Sequence, residues 1–330
     1  MMAAPKVLTV WLDSFYGRGP SAGPSNEAGI FGDGLLASIG IDELHLPMEA
    51  AAYPDRLAEF VYSKGHIDAI FVIPFEGVET WLSPIAKANN APVIVWWCDN
   101  WRQAFQHEWL AAGLMDVAVT TDAINADELR DFGCERVALS NWGCRPDTWP
   151  LHPPILQPQR AASFAGLMYG DRRTRLQAIA AAGSIDIITH DTQTGVLSIE
   201  AYHRFIASYA FSLCLTQSSH GRQQMKSRLF EAALHGAVLV TEQTPNLKDY
   251  WTEDECIVYA TPEEAQTKMA ALVNGDAAAY LAMTGRAFER ALREHTMQHR
   301  MVAVLAEAGI AASVPDFTRL LADDIDEAAV

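Results

Sequence analysis

One stretch of the chain, 220–241, combines cations and a carboxylate at a spacing that suits nucleotide binding. Its first part is a polar loop with Lys226 and Arg228, and the pattern then predicts a short amphipathic helix over 227–234 followed by an apolar strand. A helix N-terminus favours a phosphate, because it presents unpaired N–H groups and a partial positive charge. Glu231 lies one turn further in, where a carboxylate can accept two hydrogen bonds from the vicinal hydroxyls of a ribose. Cations followed by this carboxylate indicate a nucleotide site.

The same stretch has two interpretations. On local chemistry alone it fits an ordinary crossover helix with a solvated charged edge. Its letters R-x-F-E-A-x-x-x-G, followed by an apolar strand, resemble the C-terminal signature of group-1 glycosyltransferases, and their CgeB-like spore-protein branch is the most similar. The resemblance implies a nucleotide-sugar donor with Glu231 on its ribose. The donor-binding residues predicted in this stretch are His220, Gln223, Lys226, Arg228 and Glu231.

A second motif lies in 164–172, where F-A-G is followed by an arginine at the start of a predicted helix. This segment resembles the F-x-G segment of the same family, and the resemblance implies that Arg172 reaches the pyrophosphate of the donor. Arg173 and Arg175 are adjacent alternatives, and a solvated first helical turn is the plain interpretation of all three. Because cations oppose the helix dipole at this end of a helix, an arginine here favours anion binding.

A third match lies in 294–300, where E-H-T-x-x-x-R resembles a segment near the end of CgeB-like proteins, within a predicted helix over 287–305. His295 and His299 have the i, i+4 spacing of a metal pair, but no third ligand has supporting spacing, so we interpret them as structural. The D-I-D of 324–326 has the letters of a metal motif but lies in an acidic tail. The sequence thus predicts no metal site and no cofactor, since the nucleotide sugar is a substrate.

One position departs from the family pattern. Retaining group-1 enzymes carry a second acidic residue eight positions before the ribose-binding glutamate, and here that position is Gln223. A neutral amide can hydrogen-bond the sugar, but it supplies no charge to an oxocarbenium-like transition state. The sequence therefore assigns neither retention nor inversion.

Two positions in the first half follow predicted strands. Asp99 comes directly after the apolar run 93–98, where a carboxylate would point to the ligand-binding edge as a general base or an acceptor contact. The alternative interpretation is that Asp99 is the N-cap residue of the next helix. The loop 14–23, with Gly17 and Gly19, is a flexible loop or, as in two-domain glycosyltransferases, a loop near the cleft. Asp99 is the predicted catalytic residue of this half.

Composition excludes several classes of function. A chain of 330 residues, half of them hydrophobic and 20% charged, is typical of a globular protein with two domains. Lys and Arg number 24 against 41 Asp and Glu, which gives a net charge of −17. This balance argues against nucleic-acid binding and against docking on anionic lipid, because both need a basic face. A local basic pocket for a small anion remains compatible with it.

The cysteines and the N-terminus indicate a cytoplasmic protein. Five cysteines are scattered without C-x-x-C spacing, which predicts reduced thiols. The first residues run directly into a predicted strand, so we expect no signal peptide, and no apolar run approaches the length of a membrane span.

The alternation of predicted strands and helices indicates an α/β fold. Short apolar runs alternate with amphipathic segments from 6 to 140, and the same rhythm restarts near 162. Such a rhythm predicts doubly wound parallel sheets whose ligands bind beyond the carboxyl ends of the strands. With the family resemblance, we expect two Rossmann-like domains facing a cleft, the GT-B architecture. The predicted divisions are an acceptor-side domain at 1–150, a proline-rich linker at 151–160, a nucleotide-sugar domain at 161–310 and an acidic tail at 311–330.

The resemblance implies a metal-independent glycosyltransferase that moves a sugar from a nucleotide sugar to an acceptor hydroxyl. Two alternatives stay open: a non-catalytic nucleotide- or sugar-binding protein of this architecture, and a nucleotide-sugar epimerase. The nucleotide, the sugar, the acceptor and the oligomeric state are not predicted.

Overall fold

The computed structural model of the protein describes residues 3–12, 25–32, 34–46, 59, 61–75, 78–98, 102–151, 159–192, 195, 197–217 and 221–323. These residues form two separate parallel sheets with helices between the strands, so the predicted class of two Rossmann-like α/β domains is confirmed. Contacts divide the chain into two compact units: 1–141 with 297–315, and 142–296 with 316–330.

The first unit contains a six-stranded sheet in the order β2-β1-β3-β4-β5-β6, with every pair parallel. Its central strands are buried on both faces, which explains why they appear in the sequence as continuous apolar runs. The indole rings of Trp97 and Trp109 meet edge to face in its core, with centroids 5.8 Å apart. The strands are β1 Lys6–Val10, β2 Asp42–Leu46, β3 Ala69–Val72, β4 Val93–Trp97, β5 Val117–Thr120 and β6 Val137–Leu139.

The second unit contains a five-stranded parallel sheet in the order β11-β10-β9-β7-β8. Counted from its own first strand, this sheet repeats the order of the first five strands of the other one. The order reverses between β7 and β9, and open α/β sheets bind ligands beyond the carboxyl ends of the strands at such a point. The strands are β7 Gln159–Gly166, β8 Asp186–Asp191, β9 Tyr209–Cys214, β10 Val238–Glu242 and β11 Cys256–Tyr259.

Helices connect the strands, and several begin with a side-chain cap from a residue type that favours this position. Asp122, Ser198 and Thr261 each accept a hydrogen bond from a backbone N–H of the first turn that follows. The helices with described bounds are α1 Asn26–Phe31, α2 Leu35–Ser38, α3 Glu79–Asn89, α4 Gln103–Ala111, α5 Ala123–Asp131, α6 Arg172–Ala181, α7 Ile199–Ala207, α8 Arg228–Leu234, α9 Leu247–Tyr250, α10 Pro262–Asn274, α11 Ala277–Glu294, α12 Met297–Glu307 and α13 Leu320–Asp323.

Two helices predicted as continuous are interrupted. The sequence pattern predicts one helix around 27–38, but this segment forms α1 and α2, because Gly34 takes a left-handed conformation with φ of 75° that starts a new helix. The segment 287–305 breaks at His295, whose imidazole Nε2 lies 2.8 Å from the carbonyl oxygen of Tyr250. The His295 carbonyl accepts a hydrogen bond from the backbone N–H of Cys144 at 2.9 Å, so it is engaged outside the helix.

The contact-based units differ from the predicted divisions at two places. The first unit ends at Asn141 and also includes the later segment that begins at Met297. Helix α12 of that segment packs against α2. Gln159 and Arg160, which fall within the predicted linker, are the first residues of β7, while 152–158 lie outside the described residues. Among the described residues, no helix is long and apolar enough to cross a membrane.

Candidate functional site

The F-x-G segment at the end of β7 packs against the side chain of Arg228. The Arg228 guanidinium lies over the Phe164 ring, 4.8 Å from its centroid, and Nη2 donates a hydrogen bond to the carbonyl oxygen of Ala165. A Cβ atom at Gly166 would stand 3.4 Å from the same Nη2. Each residue of the motif therefore has a defined contact or clearance with this arginine. A guanidinium above an aromatic ring gains a cation–π attraction that helps to hold it in place.

The carboxylate of Glu231 is joined to Arg228 through a tyrosine from another helix. Glu231 is 5% exposed, and its Oε2 accepts a hydrogen bond from the hydroxyl of Tyr202 on α7. The same hydroxyl oxygen accepts a hydrogen bond from Arg228 Nε at 3.4 Å. Burial raises the pKa of Tyr202 above its ordinary value, so its hydroxyl is protonated and acts as a donor. Burial alone would lower the pKa of Arg228, but Tyr202, Cys214 and Glu231 outweigh it, and the net direction is upward.

Arg172 is a buried cation at the first position of α6. Its guanidinium stacks over Tyr169 at 3.9 Å and lies 5.9 Å from the centroid of Phe164, and Nη1 donates to the carbonyl oxygen of Leu167 at 3.0 Å. The side chain is 8% exposed, and its buried Nε has no hydrogen-bond partner. Burial, and then the charge of Arg228, lower the pKa of Arg172 from its ordinary value. An arginine with an unsatisfied buried donor is suited to an anion that supplies the missing acceptor.

Three predicted donor-binding cations act electrostatically on the thiol of Cys214 at the carboxyl end of β9. Burial raises the pKa of Cys214 to about 11, and the charges of Arg228, Arg172 and Lys226 all act in the opposite direction. These cations come from two separate segments, the start of α6 and the stretch around the start of α8, and they lie beside the reversal point between β7 and β9. The structure thus gathers positive charge at the edge where an open α/β sheet binds its ligand.

Some donor atoms of these arginines remain available. Within the described part of the chain, Nη1 of Arg228 and Nη2 of Arg172 make no hydrogen bond, and neither atom is a buried unsatisfied group. Helix α8 has only seven residues, so the positive charge at this edge comes from guanidinium groups and not from a helix dipole. Two arginines with free N–H groups suit the oxygens of a diphosphate.

Arg175, one of the two predicted alternatives to Arg172, forms an ion pair with Glu242 and not with Glu231. Its Nη2 donates to Glu242 at the end of β10, and its Nη1 donates to Gln217 Oε1 at 3.0 Å. Glu242 also accepts hydrogen bonds from Thr216 at 3.1 Å and from Tyr259 at 3.5 Å. The third arginine, Arg173, is exposed. Of the three neighbouring arginines, Arg172 is the one that faces the cation cluster.

Two further predicted residues lie on the loop before α8. Lys226 Nζ donates to Gln224 Oε1 at 2.6 Å, and Gln223 Nε2 donates to the carbonyl oxygen of Gln243 at 3.1 Å. Gln223 is exposed and pairs with Gln217 through an antiparallel bridge. The amide at the position of the family's second acidic residue thus has a structural contact with the start of the segment after β10.

Several predicted residues lie outside the described part of the chain. These are the catalytic candidate Asp99, the donor-binding candidate His220, the loop residues Gly17 and Gly19, and the acidic tail from 324 onward. Within the described residues, no group of three or more His, Cys, Asp and Glu side chains is placed to hold a metal ion. His295 is buried beside the rings of Phe230, Tyr250 and Trp251, and the break before α12 separates it from His299.

Two residues of this region were missed in the sequence. Glu242 follows an apolar strand, the same signal that singled out Asp99, so that pattern was sufficient to find it. Tyr202 carried no comparable signal, because one tyrosine on an amphipathic helix is usually a packing residue. Its contact with Glu231 spans 29 positions and arises from the packing of α7 on the sheet edge.

One family model matches the part of the chain that contains this cluster. Residues 157–306 match the family model described as Glycosyl transferase-like. No curated protein matches the chain. The match includes the F-x-G segment, the R-x-F-E segment and the H-T-x-x-x-R segment.

Solved structures similar to this chain are GT-B proteins and show its fold. An α1,3-fucosyltransferase is 14% identical to this chain with a TM-score of 0.55. The match covers 92% of this chain and 89% of the fucosyltransferase chain. The Anabaena protein HepE in complex with UDP-glucose is 12% identical with a TM-score of 0.52, covering 98% and 99%. A putative UDP-N-acetylglucosamine 2-epimerase from Listeria monocytogenes is 10% identical with a TM-score of 0.53, covering 88% and 95%.

Proposed function

We propose that this chain is a glycosyltransferase that takes a sugar from a nucleotide sugar and transfers it to an acceptor hydroxyl. The observation that carries the proposal is the meeting of Glu231, Arg228 and Arg172 at the strand-order reversal of the second sheet. A carboxylate for a diol and two cations for a diphosphate are the groups that a nucleotide sugar requires. The glycosyltransferase-like match over 157–306 supports the same assignment.

In this proposal the cations stabilise the leaving group. As the bond between sugar and phosphate breaks, negative charge develops on the nucleoside diphosphate. Arg172, Arg228 and Lys226 offer fixed positive charge to it, an electrostatic contribution to catalysis. Each charge-assisted hydrogen bond contributes about 1.5–3 kcal/mol. These cations do the work that a divalent metal does in other enzymes, so the proposed transferase is metal-independent.

The acceptor side of the proposal rests on the sequence. Asp99 follows β4, and a carboxylate at the carboxyl end of that strand is suited to remove the proton from an acceptor hydroxyl. We propose it as the general base. The CgeB-like branch is the proposed subfamily, on the three motifs that resemble it. A cytoplasmic location is also proposed, because all five cysteines are free thiols.

The proposed donor site is tested by a thermal-shift screen against UDP-, GDP-, ADP-, CMP- and dTDP-sugars, with the Glu231→Ala variant alongside. A ligand at about 100 times its Kd stabilises the native state by about 2.7 kcal/mol, which raises Tm by about 5 °C. We expect a shift with one nucleotide that is lost in Glu231→Ala. The matched control is Glu263→Ala, which removes an exposed carboxylate from the first turn of α10.

The screen tests whether the chain has the proposed nucleotide-sugar site. An unchanged shift in Glu231→Ala would show that the carboxylate does not contact the ligand. No shift with any nucleotide sugar in the wild-type protein would remove the basis of the proposal. For a ligand that binds, nucleotide release in the presence of candidate acceptors then measures transfer.

A second candidate function is a protein that binds the nucleotide sugar without turnover. It is favoured by Gln223, which stands where retaining relatives carry an acid and whose amide is bonded to the Gln243 carbonyl. Binding of the nucleotide sugar with no release of its nucleotide in the presence of any acceptor would support it. An epimerase is a third candidate, since the similar Listeria structure is that of a putative UDP-N-acetylglucosamine 2-epimerase. Conversion of the donor sugar with no acceptor present would identify it.

A further inference from the structure

Tyr202 occupies a position that none of the three sequence motifs includes. It lies on α7, and its hydroxyl stands between the carboxylate of Glu231 and the guanidinium of Arg228. The hydroxyl donates its single proton to Glu231 Oε2 and accepts from Arg228 Nε at 3.4 Å. One side chain thus links the proposed ribose-binding group to a proposed diphosphate-binding group.

This hydrogen bond fixes one oxygen of the carboxylate and leaves the other for a ligand. Among the described residues, Tyr202 is the one hydrogen-bond donor to Glu231, and Oε1 is not a buried unsatisfied atom. A carboxylate held through Oε2 has a defined orientation at Oε1, and Oε2 retains a second lone pair. A positioned pair of acceptors of this kind matches the two hydroxyls of a ribose, whereas a 2′-deoxyribose supplies one hydroxyl fewer.

We propose that Tyr202 is a positioning residue that orients Glu231 for the ribose diol and thereby makes the site selective for ribonucleoside diphosphates over their 2′-deoxy forms. The proposal rests on the function proposed above. Tyr202 acts through Glu231 and does not itself touch the ligand. Its contact with Arg228 couples the recognition of the sugar ring to the recognition of the diphosphate.

The test measures the ratio of two affinities and not a single affinity. Isothermal titration of the full chain with UDP, GDP, ADP and CDP, each paired with its 2′-deoxy form, gives a ribo-to-deoxy preference for every base. We expect a preference of roughly tenfold or more for at least one base in the wild-type protein, as for a hydrogen bond to a charged group. In Tyr202→Phe the preference falls to about threefold or less, because the ring remains but the hydroxyl is lost.

Two further variants separate positioning from general damage. Tyr209→Phe, at the start of β9, changes a half-buried tyrosine whose ring packs on Phe205, and it should leave the preference unchanged. In the Glu231→Ala background, Tyr202→Phe should cause no additional loss of preference, since the carboxylate it orients is absent. A purely structural role of Tyr202 would weaken both nucleotides equally and leave their ratio intact.

The outcomes distinguish this proposal from the one that it rests on. If the wild-type protein prefers ribonucleotides and Tyr202→Phe keeps that preference, the role of Tyr202 is wrong and the donor site stands. If the wild-type protein binds nucleotides with no ribo preference, the orienting role is also overturned. If it binds no nucleoside diphosphate, the proposed function fails and this proposal fails with it.

Discussion

Burial separates the three arginines at the start of α6 into three different environments. Arg172 is stacked on Tyr169 and keeps a buried Nε without a partner. Arg173 is exposed and forms an ion pair with Asp191 at 3.0 Å, while Arg175 is bonded to Glu242. An exposed ion pair contributes little to stability or to a neighbouring site, because solvent screens it. The unsatisfied guanidinium is therefore the one suited to a ligand.

The contrast between neighbours gives a prediction at the residue scale. Arg172→Met should weaken binding of the nucleoside diphosphate identified in the screen by about tenfold, because it removes a charge-assisted hydrogen bond. Arg173→Met, one position along the same helix, should change the affinity by about twofold or less. Isothermal titration of both variants measures the difference. Equal losses in the two variants would mean that the anion is held by the general positive field and not by Arg172.

At the scale of elements, the packing of α10 on the second sheet depends on a buried glutamine and a glycine that faces it. Gln266 Nε2 donates to the carbonyl oxygens of Ile179 and Ile185, and its Oε1 accepts from the Ile185 N–H at 2.9 Å. A Cβ atom at Gly183 would stand 2.6 Å from that Oε1. The turn between α6 and β8 therefore accepts no side chain without moving the glutamine that ties it to α10.

Gly183→Ala should destabilise the protein by about 1–3 kcal/mol, because a methyl group forced into a packed contact shifts its neighbours. The matched control is Gly285→Ala in α11, where a Cβ atom has no neighbour within 4 Å. That change should be stabilising by about 0.5–1 kcal/mol, since alanine loses less conformational freedom in a helix. Urea unfolding of the two variants gives the free energies. Similar effects of both substitutions would contradict the packing argument.

At the scale of the whole molecule, the chain forms two sheets of the same strand order and then returns to the first unit. Helix α12 contributes Met301, Val304 and Leu305 to a buried face, and it packs against α2. Gln298 Nε2 lies 3.3 Å from Ser38 Oγ, and Arg136 Nη1 donates to the Glu307 carbonyl at 3.2 Å. Helix α12, near the end of the chain, thus stabilises the unit formed mainly by the first 141 residues.

Leu305→Ala should lower the free energy of unfolding by about 2–5 kcal/mol and increase amide hydrogen exchange in α2, because it leaves a cavity in the first unit. Leu292→Ala in α11 removes an equally buried leucine from the second unit. It should increase exchange around α8 instead. Mass-spectrometric hydrogen exchange locates both effects. An increase in the same peptides for both variants would show that α12 does not belong to the first unit.

The positive cluster also matters at this scale, because the protein as a whole carries a net charge of −17. An acidic surface repels polyanions, whereas a small anion can still reach a local group of cations within about one Debye length. Arg172, Arg228 and Lys226 form such a group. The net charge of the molecule and the charge of this cation group therefore have opposite signs, which is compatible with the proposed nucleotide site.

The sequence by itself determined the elements and the motif positions. Largely apolar runs at 92–97 and 237–241 predicted buried parallel strands, because strands covered on both faces are mostly apolar, and the observed strands β4 and β10 lie within one residue of these bounds. Alternation with amphipathic helices determined the α/β class, and the R-x-F-E and F-x-G segments located Glu231, Arg228 and Arg172. All of these signals are local, because they depend on residues close to one another in the chain.

Tertiary structure alone decided which of these residues act together. The choice of Arg172 over Arg173 and Arg175 depends on burial against Tyr169, and the link from Glu231 to Arg228 depends on Tyr202 of α7. The break at His295 depends on hydrogen bonds to residues far away in the sequence. Each of these results comes from contacts between distant segments, and local periodicity holds no information about partners that only folding brings within hydrogen-bond distance.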